Sequence, residues 1–334
     1  MESTLFPFVL VIFASLFQGS FGVGMKYMSP LKWEAWWLVH VTISMVLFPL
    51  SWALISVPGL GDIIASAPTN AILLAMTFGF LWGIGGIMFG VSIPYIGLSL
   101  TYGIVMGLAS AVGSLIPLFQ LENATSKPAF PYILIGVAVM LVGVVVTAIA
   151  GIQRDKLKNE GKKSANIVKG IIIASVCGVL SALLNVGFAN AAPIAKLAEA
   201  SGVITRNSSL AAWVVVLAGA YLMNFGYSIF LLVKNNSWSS FGVAKSGKAY
   251  IWAVIAGLCW FAALGVYGQG SALMGEMGPI IGWPMLLGLS LIISNIWAYK
   301  SGEWKDAAKP FGLLMFGLAV LILASVILGY ANNA

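Results

Sequence analysis

Read from its N-terminus, the chain alternates long apolar runs with short polar connectors. Ten of the runs reach the roughly 20 residues an α-helix needs to cross the hydrocarbon of a bilayer. They fall near 5–25, 33–56, 71–93, 98–119, 131–151, 168–192, 210–233, 250–273, 279–298 and 310–330, numbered here spans 1 to 10. The pattern predicts an all-α integral membrane protein with ten transmembrane helices. Span 1 does not read as a signal peptide. It opens Met1-Glu2-Ser3-Thr4 with no basic residue, and its apolar run is too long.

Composition agrees. Charged residues are 8% of the chain, against about 25% in soluble domains. Where the charges sit is more informative. Of the 17 Lys and Arg residues, 14 lie in or at the edge of the odd-numbered connectors and 3 in the even-numbered ones. Basic residues in short loops are retained in the cytoplasm, so both termini are expected on the periplasmic or extracellular side of a bacterial inner membrane. The same placement explains the net charge of +7 without a nucleic-acid partner. The densest connector, IQRDKLKNEGKKSAN at 152–166, has no aromatic residue to stack on bases. It reads as a solvated cytoplasmic linker, taken as 152–167, between halves 1–151 and 168–334. Cys177 and Cys259 lie in apolar runs, without CxxC spacing or any disulfide framework. No Walker loop, HExxH or acidic metal cluster is present.

The halves repeat. At a shift of 178, GFLWGIGGIMFG (79–90) falls over GLCWFAALGVYG (257–268), placing Gly79 on Gly257, Trp82 on Trp260, Phe89 on Tyr267 and Gly90 on Gly268. At a shift of 163, VGMKYMSPL (23–31) falls over VGFANAAPI (186–194). Five spans per half is an odd number, so the second copy enters the membrane inverted. Two inverted five-helix repeats are the architecture of secondary transporters, with a site near mid-membrane.

The repeat nominates side chains for that site. Gln18, Gly22 and Lys26 are spaced four apart in span 1, and their counterparts in span 6 are Ser181, Asn185 and Ala189. Polar groups in hydrocarbon face the bundle interior, either as interhelical glue or as ligand contacts. In span 3, Trp82, Gly86 and Phe89 share a face, as do Trp260, Leu264 and Tyr267 in span 8. Aromatic faces suit the C–H side of a sugar ring, and Trp N–H and Tyr O–H can donate to its hydroxyls. Trp82 and Trp260 lie too deep in their spans for the interfacial belt. Gln269 lies about a quarter turn off the Trp260 face. Asn224 and Asn295 read as interhelical hydrogen-bond partners.

Three ionisable groups are candidates for proton coupling. His40, the single histidine, lies about two turns into span 2, and its ordinary pKa of about 6.5 suits proton exchange near neutrality. The bland alternative is a neutral imidazole packed on Trp36 and Trp37. Glu34 opens span 2. Lys26 ends span 1, where it can snorkel to the surface or pair with Glu34.

The segments WEAWW (33–37), LWGIGGIMFG (81–90), GLSL to GSLIPLF (97–119), CGVLSA and NAA (177–182, 190–192), VVVLAGAYLMNFG (214–226), GLCW (257–260) and GEWKDA (302–307) occur in order along most of the chain. Together they resemble the L-rhamnose/proton symporter family of the drug/metabolite transporter superfamily. The resemblance implies a ten-helix fold, import of a 6-deoxyhexose and proton coupling. Gly86 and Pro94 stand where that family carries Asn and Arg, His40 replaces a small residue, and Gln269 replaces a Trp. The superfamily usually keeps its termini in the cytoplasm, whereas the charge count here places them outside.

The expectation is a secondary transporter that imports a small neutral sugar, L-rhamnose foremost, by alternating access. It would need no organic cofactor, H+ would be the coupling ion with Na+ as the alternative, and it would work as a monomer in the lipid bilayer. Spans 1–4 and 6–9 would line the cavity, with spans 5 and 10 as scaffold. An exporter of small amphipathic metabolites is the nearest rival. A polytopic enzyme would need a nucleophile–base set or a metal cluster, and a channel would need a continuous polar stripe or selectivity loop; the spans show none of these.

Overall fold

The computed structural model describes residues 5–157 and 166–332, and among them every regular element is a helix. Residues 158–165 of the predicted linker lie outside the described residues. Ten helices are long and apolar enough to cross a membrane: Phe6–Tyr27, Trp33–Ser56, Thr69–Ile96, Leu98–Gln120, Phe130–Leu157, Ile167–Ala200, Thr205–Lys234, Gly247–Leu273, Gly275–Lys300 and Ala308–Ala331. These are spans 1 to 10, and the chain is a multi-pass membrane protein. The helices extend the predicted limits mostly by a few residues, because helical hydrogen bonding continues past the apolar run into the interface.

Three departures from a straight α-helix have local causes. Span 1 is α-helical over Phe6–Ser20 and then tightens to a 3-10 helix over Phe21–Tyr27, a stretch holding Gly22 and Gly24. Span 2 widens into a π-helical turn at Ile43–Leu47, just before Phe48-Pro49. Pro49 has no N–H for the preceding turn, and its ring crowds the carbonyl four residues back, so a wider turn relieves the clash. Span 6 breaks at Ala191 and restarts as Ala192–Ala200 with Pro193 in its first turn, where a missing N–H costs nothing.

The chain forms two compact units, Met1–Gly83 with Gly187–Leu273, and Ile84–Val186 with Met274–Ala334. Each takes spans from both sequence halves, and spans 3 and 6 are each divided between them. In the first unit, spans 3 and 7 cross at paired glycines. A Cβ on Gly219 would stand 1.9 Å from the Met76 carbonyl oxygen, and one on Gly79 would stand 2.1 Å from that of Val216. Span 1 lies against span 8 in a similar way, with Gly24 against Trp252 and Ala256, and Gly270 against Pro7. Such contacts are how membrane helices associate when burial from lipid gives little driving force.

In the second unit, spans 5 and 10 pack along each other, with Gly136 and Gly143 against Leu328 and Leu321, and Gly317 against Thr147. One end is tied by charge. Arg154 donates to Asp155 at 2.8 Å and to Glu303 at 3.2 Å, Ser99 donates to Asp155 at 2.6 Å, and the guanidinium lies 4.9 Å from the Trp304 ring centre.

Candidate substrate and proton groups

The aromatic prediction divides between the units. In the first, Trp82 and Trp260 come together, their rings 5.5 Å apart and tilted by 35°. Trp82 is half-buried and Trp260 buried, so the pair offers one partly open aromatic surface. Tyr267, two turns further along span 8, is fully buried. Its ring packs 5.8 Å from Phe188 and 6.3 Å from Trp213, and its hydroxyl meets Ser271. Phe89 belongs to the second unit, edge-on to Tyr102 at 6.0 Å and against the Val105, Ala174 and Cys177 cluster.

Among the polar candidates, Asn185 is fully buried and donates from Nδ2 to the carbonyls of Gly113 at 2.9 Å and Pro279 at 2.8 Å. It joins span 6 to spans 4 and 9, the glue role. Ser181 is half-buried beside Cys177, whose sulfur lies 3.9 Å from its hydroxyl. Gln269 donates to Asn207 Oδ1 at 3.0 Å. A cavity of about 460 Å³ lies one turn further along, lined by Ile204, Thr205, Arg206 and Leu273. No predicted site residue lines it.

In span 1, the face predicted from spacing alone does not continue. An α-helix turns about 100° per residue and a 3-10 helix about 120°. With the change at Phe21, Lys26 rotates roughly 200° from Gln18, to about the opposite side. Gln18 is half-buried with Oε1 shielded and without a partner. Gly22 is exposed, and a Cβ there would meet nothing within 4 Å. Gly86 and Gly90 in span 3 have the same open surroundings. Lys26 is exposed.

Span 2 presents the densest polar chemistry. Glu34 is buried, and its Oε1 accepts hydrogen bonds from Ser237 and from Asn235 at 3.1 Å. The neighbouring Lys32 N–H donates to Ser240 at 2.8 Å, so the connector after span 7 is clamped onto the start of span 2. Asn224 accepts from Trp37 Nε1 at 3.0 Å, the interhelical role expected of it. His40, 1% exposed, stacks on Trp36 at 5.4 Å and on Phe21 at 6.2 Å, with Trp37 at 4.9 Å, and its ring hydrogen-bonds to the backbone of Ala253.

Sequence reasoning named His40 and its packing on Trp36 and Trp37 but missed Ser44. Trp36, His40 and Ser44 recur every fourth residue in WEAWWLVHVTIS, and that spacing was the available signal. The partners of Glu34 and Gln269 are distant in sequence, so no local pattern announces them.

The comparisons agree with this picture of a ten-helix membrane protein. A solved crystal structure superposes with a TM-score of 0.58 at 15% identity, covering 95% of this chain and 96% of its own, which is a likeness of fold. Proteins named L-rhamnose-proton symporter from Yersinia pestis (strain Pestoides F) and Yersinia pseudotuberculosis serotype O:1b are 27% identical over 318 residues, 92% of each chain. Residues 6–334 match the family described as L-rhamnose-proton symport protein (RhaT). The chain therefore belongs to the L-rhamnose-proton symport family, a family of transporters and not of enzymes.

Proposed function

We propose that this protein imports L-rhamnose together with protons across the bacterial inner membrane by alternating access. Family membership over nearly the whole chain carries the reading. The name of the relatives, L-rhamnose-proton symporter, supplies both the sugar and the coupling ion. The Trp82–Trp260 pair supports it on chemical grounds, because a partly open aromatic face in hydrocarbon suits the apolar side of a 6-deoxy sugar. The inverted relation of the halves and the external termini rest on the repeat and on the 14-to-3 charge distribution. The candidate groups for the sugar are Gln18, Gly22, Trp82, Trp260, Tyr267 and Gln269 in the first unit and, taken by themselves, Phe89, Ser181 and Asn185 in the second. The coupling proton would be carried among His40, Glu34 and Lys26, with H+ rather than Na+ as the ion, no organic cofactor, and the monomer as the working unit.

The test is uptake of labelled L-rhamnose into proteoliposomes held alkaline inside. Saturable uptake is expected, competed by unlabelled L-rhamnose and abolished by a protonophore. Uptake that persists without the gradient and cannot be saturated would reject the symport reading. A rival exporter of amphipathic metabolites would show no competition by the sugar.

A further inference from the structure

Among the described residues, seven buried side-chain polar atoms have no hydrogen-bond partner, and four of them belong to spans 1 and 2: Gln18 Oε1, Trp36 Nε1, His40 Nδ1 and Ser44 Oγ. Leaving a buried donor or acceptor unpaired forfeits its hydration without replacement, so native structures hold few of them. Three of the four repeat at i, i+4 and i+8 on one face of span 2, over a rise of about 12 Å. The stacking of Trp36 on His40 at 5.4 Å shows the alignment directly. The π-helical turn begins at Ile43, just before Ser44, where the backbone ladder is already loosened.

Three elements seal this face. Span 1 contributes Phe21 against the imidazole and Gly24 against the Trp36 ring. Span 8 contributes Ala253 and Ala256, and Gly257 lies close to the His40 carbonyl. Span 7 adds Asn224 beside Trp37. The titratable and charged groups on these elements are Lys26, Tyr27, Arg206, Tyr221, Tyr227, Lys234, Lys248, Tyr250, Cys259 and Tyr267, the last with its hydroxyl on Ser271. Several have recorded partners away from His40: Tyr221 meets Thr42, Tyr227 packs on Trp33, Tyr250 donates to the Phe241 carbonyl, Lys248 lies over Tyr27, and Lys234 over Phe230. Glu34, on span 2 itself, is held by Ser237 and Asn235.

We propose that His40 carries the coupling proton, with Nδ1 closed off in this conformation and opened when spans 1 and 8 part from span 2. The assignment rests on the symport reading and chooses among its three candidates. The bond to the Ala253 backbone leaves Nδ1 as the unpartnered nitrogen, so Nε2 donates to that carbonyl and the lone pair sits on Nδ1. A hydronium ion from one side gives its proton to that lone pair, its O–H bond breaking as the N–H bond forms, and leaves water and an imidazolium. Release on the other side restores the neutral ring. The rings of Trp36 and Phe21 lie against the imidazole and close it off from water. In the opened state the Ser44 hydroxyl, one turn on along the same face of span 2, would accept from Nδ1–H.

The test compares two assays on wild-type and variant proteoliposomes. Counterflow, the exchange of labelled for unlabelled L-rhamnose, needs no gradient. Accumulation under a gradient of about one pH unit can reach about tenfold if one proton moves per sugar. His40→Gln is expected to retain counterflow and lose accumulation, whereas Glu34→Gln and Lys26→Met, whatever they do to the rate, stay coupled and still accumulate sugar to the level the pH gradient allows. Wild-type accumulation by His40→Gln would overturn the proposal, as would uncoupling by Glu34→Gln or Lys26→Met instead. Ser44→Ala keeps the imidazole and guards against a folding defect in His40→Gln. Removing an acceptor of the imidazolium proton should move the pH profile of accumulation about one unit lower, and an unmoved profile would overturn the proposal. Wild-type protein without L-rhamnose counterflow would remove the transport reading itself, and this assignment with it.

Discussion

Gly219→Leu is expected to yield no folded, monodisperse protein after detergent extraction. At the crossing of spans 3 and 7, a Cβ at position 219 would lie 1.9 Å from the Met76 carbonyl oxygen, inside any permissible contact. The obstacle is backbone, so no rotamer change relieves it. Extra methylene groups forced into a packed interior cost about 1–3 kcal/mol when side chains can adjust. Here the helices themselves must separate, across an interface where Gly79 meets Val216 by the same close approach. A total stability of about 5–15 kcal/mol does not absorb such a loss easily. Gly22→Ala and Gly86→Ala supply the contrast, since a Cβ at either position meets nothing within 4 Å. Size-exclusion profiles and melting temperatures of the three variants check this. A Gly219→Leu protein that melts within a few degrees of wild type would mean that spans 3 and 7 do not cross at these glycines.

The second large effect is on sugar affinity. Trp82→Ala is expected to weaken L-rhamnose binding by about tenfold or more, equivalent to roughly 1.4 kcal/mol or above, by removing one aromatic face of the Trp82–Trp260 pair. Trp82→Phe keeps a ring and should recover much of the loss. Trp260 is the harder position to read, because it is buried and its truncation to Ala would also cost about 3–5 kcal/mol of packing. Trp260→Phe, compared at matched melting temperature, separates the two roles. Isothermal titration in detergent measures both. Unchanged affinity in Trp82→Ala would return the pair to helix packing.

The ten spans were legible because the bilayer imposes a length and a polarity that composition cannot disguise. The orientation of their faces was much less so. In a soluble helix an apolar stripe marks the interior, but in lipid both faces are apolar and the signal weakens. Spacing put Gln18 and Lys26 on one face, and the 3-10 helix at Phe21–Tyr27 turned them apart. Gly22 and Gly24 were the local hint. The π-helical turn had a hint of the same kind in Pro49. Spacing leaves Asn185 open between glue and ligand, and its bonds to Gly113 and Pro279 join helices through contacts that no local pattern encodes. The repeat singled out Trp82 and Trp260, because equivalent positions in corresponding helices carry the same side chain, but it did not announce that their rings meet.

Coupling of sugar to proton movement is the claim on which the account turns, and it can be observed without a label or an imposed gradient. L-Rhamnose added to proteoliposomes containing a luminal pH dye flows down its own gradient, and symport must carry protons in the same direction whichever way the protein is inserted. The account predicts prompt luminal acidification that saturates with sugar concentration and disappears with a protonophore. Luminal alkalinisation, as an antiporting exporter would give, or no pH change while L-rhamnose enters, would contradict it.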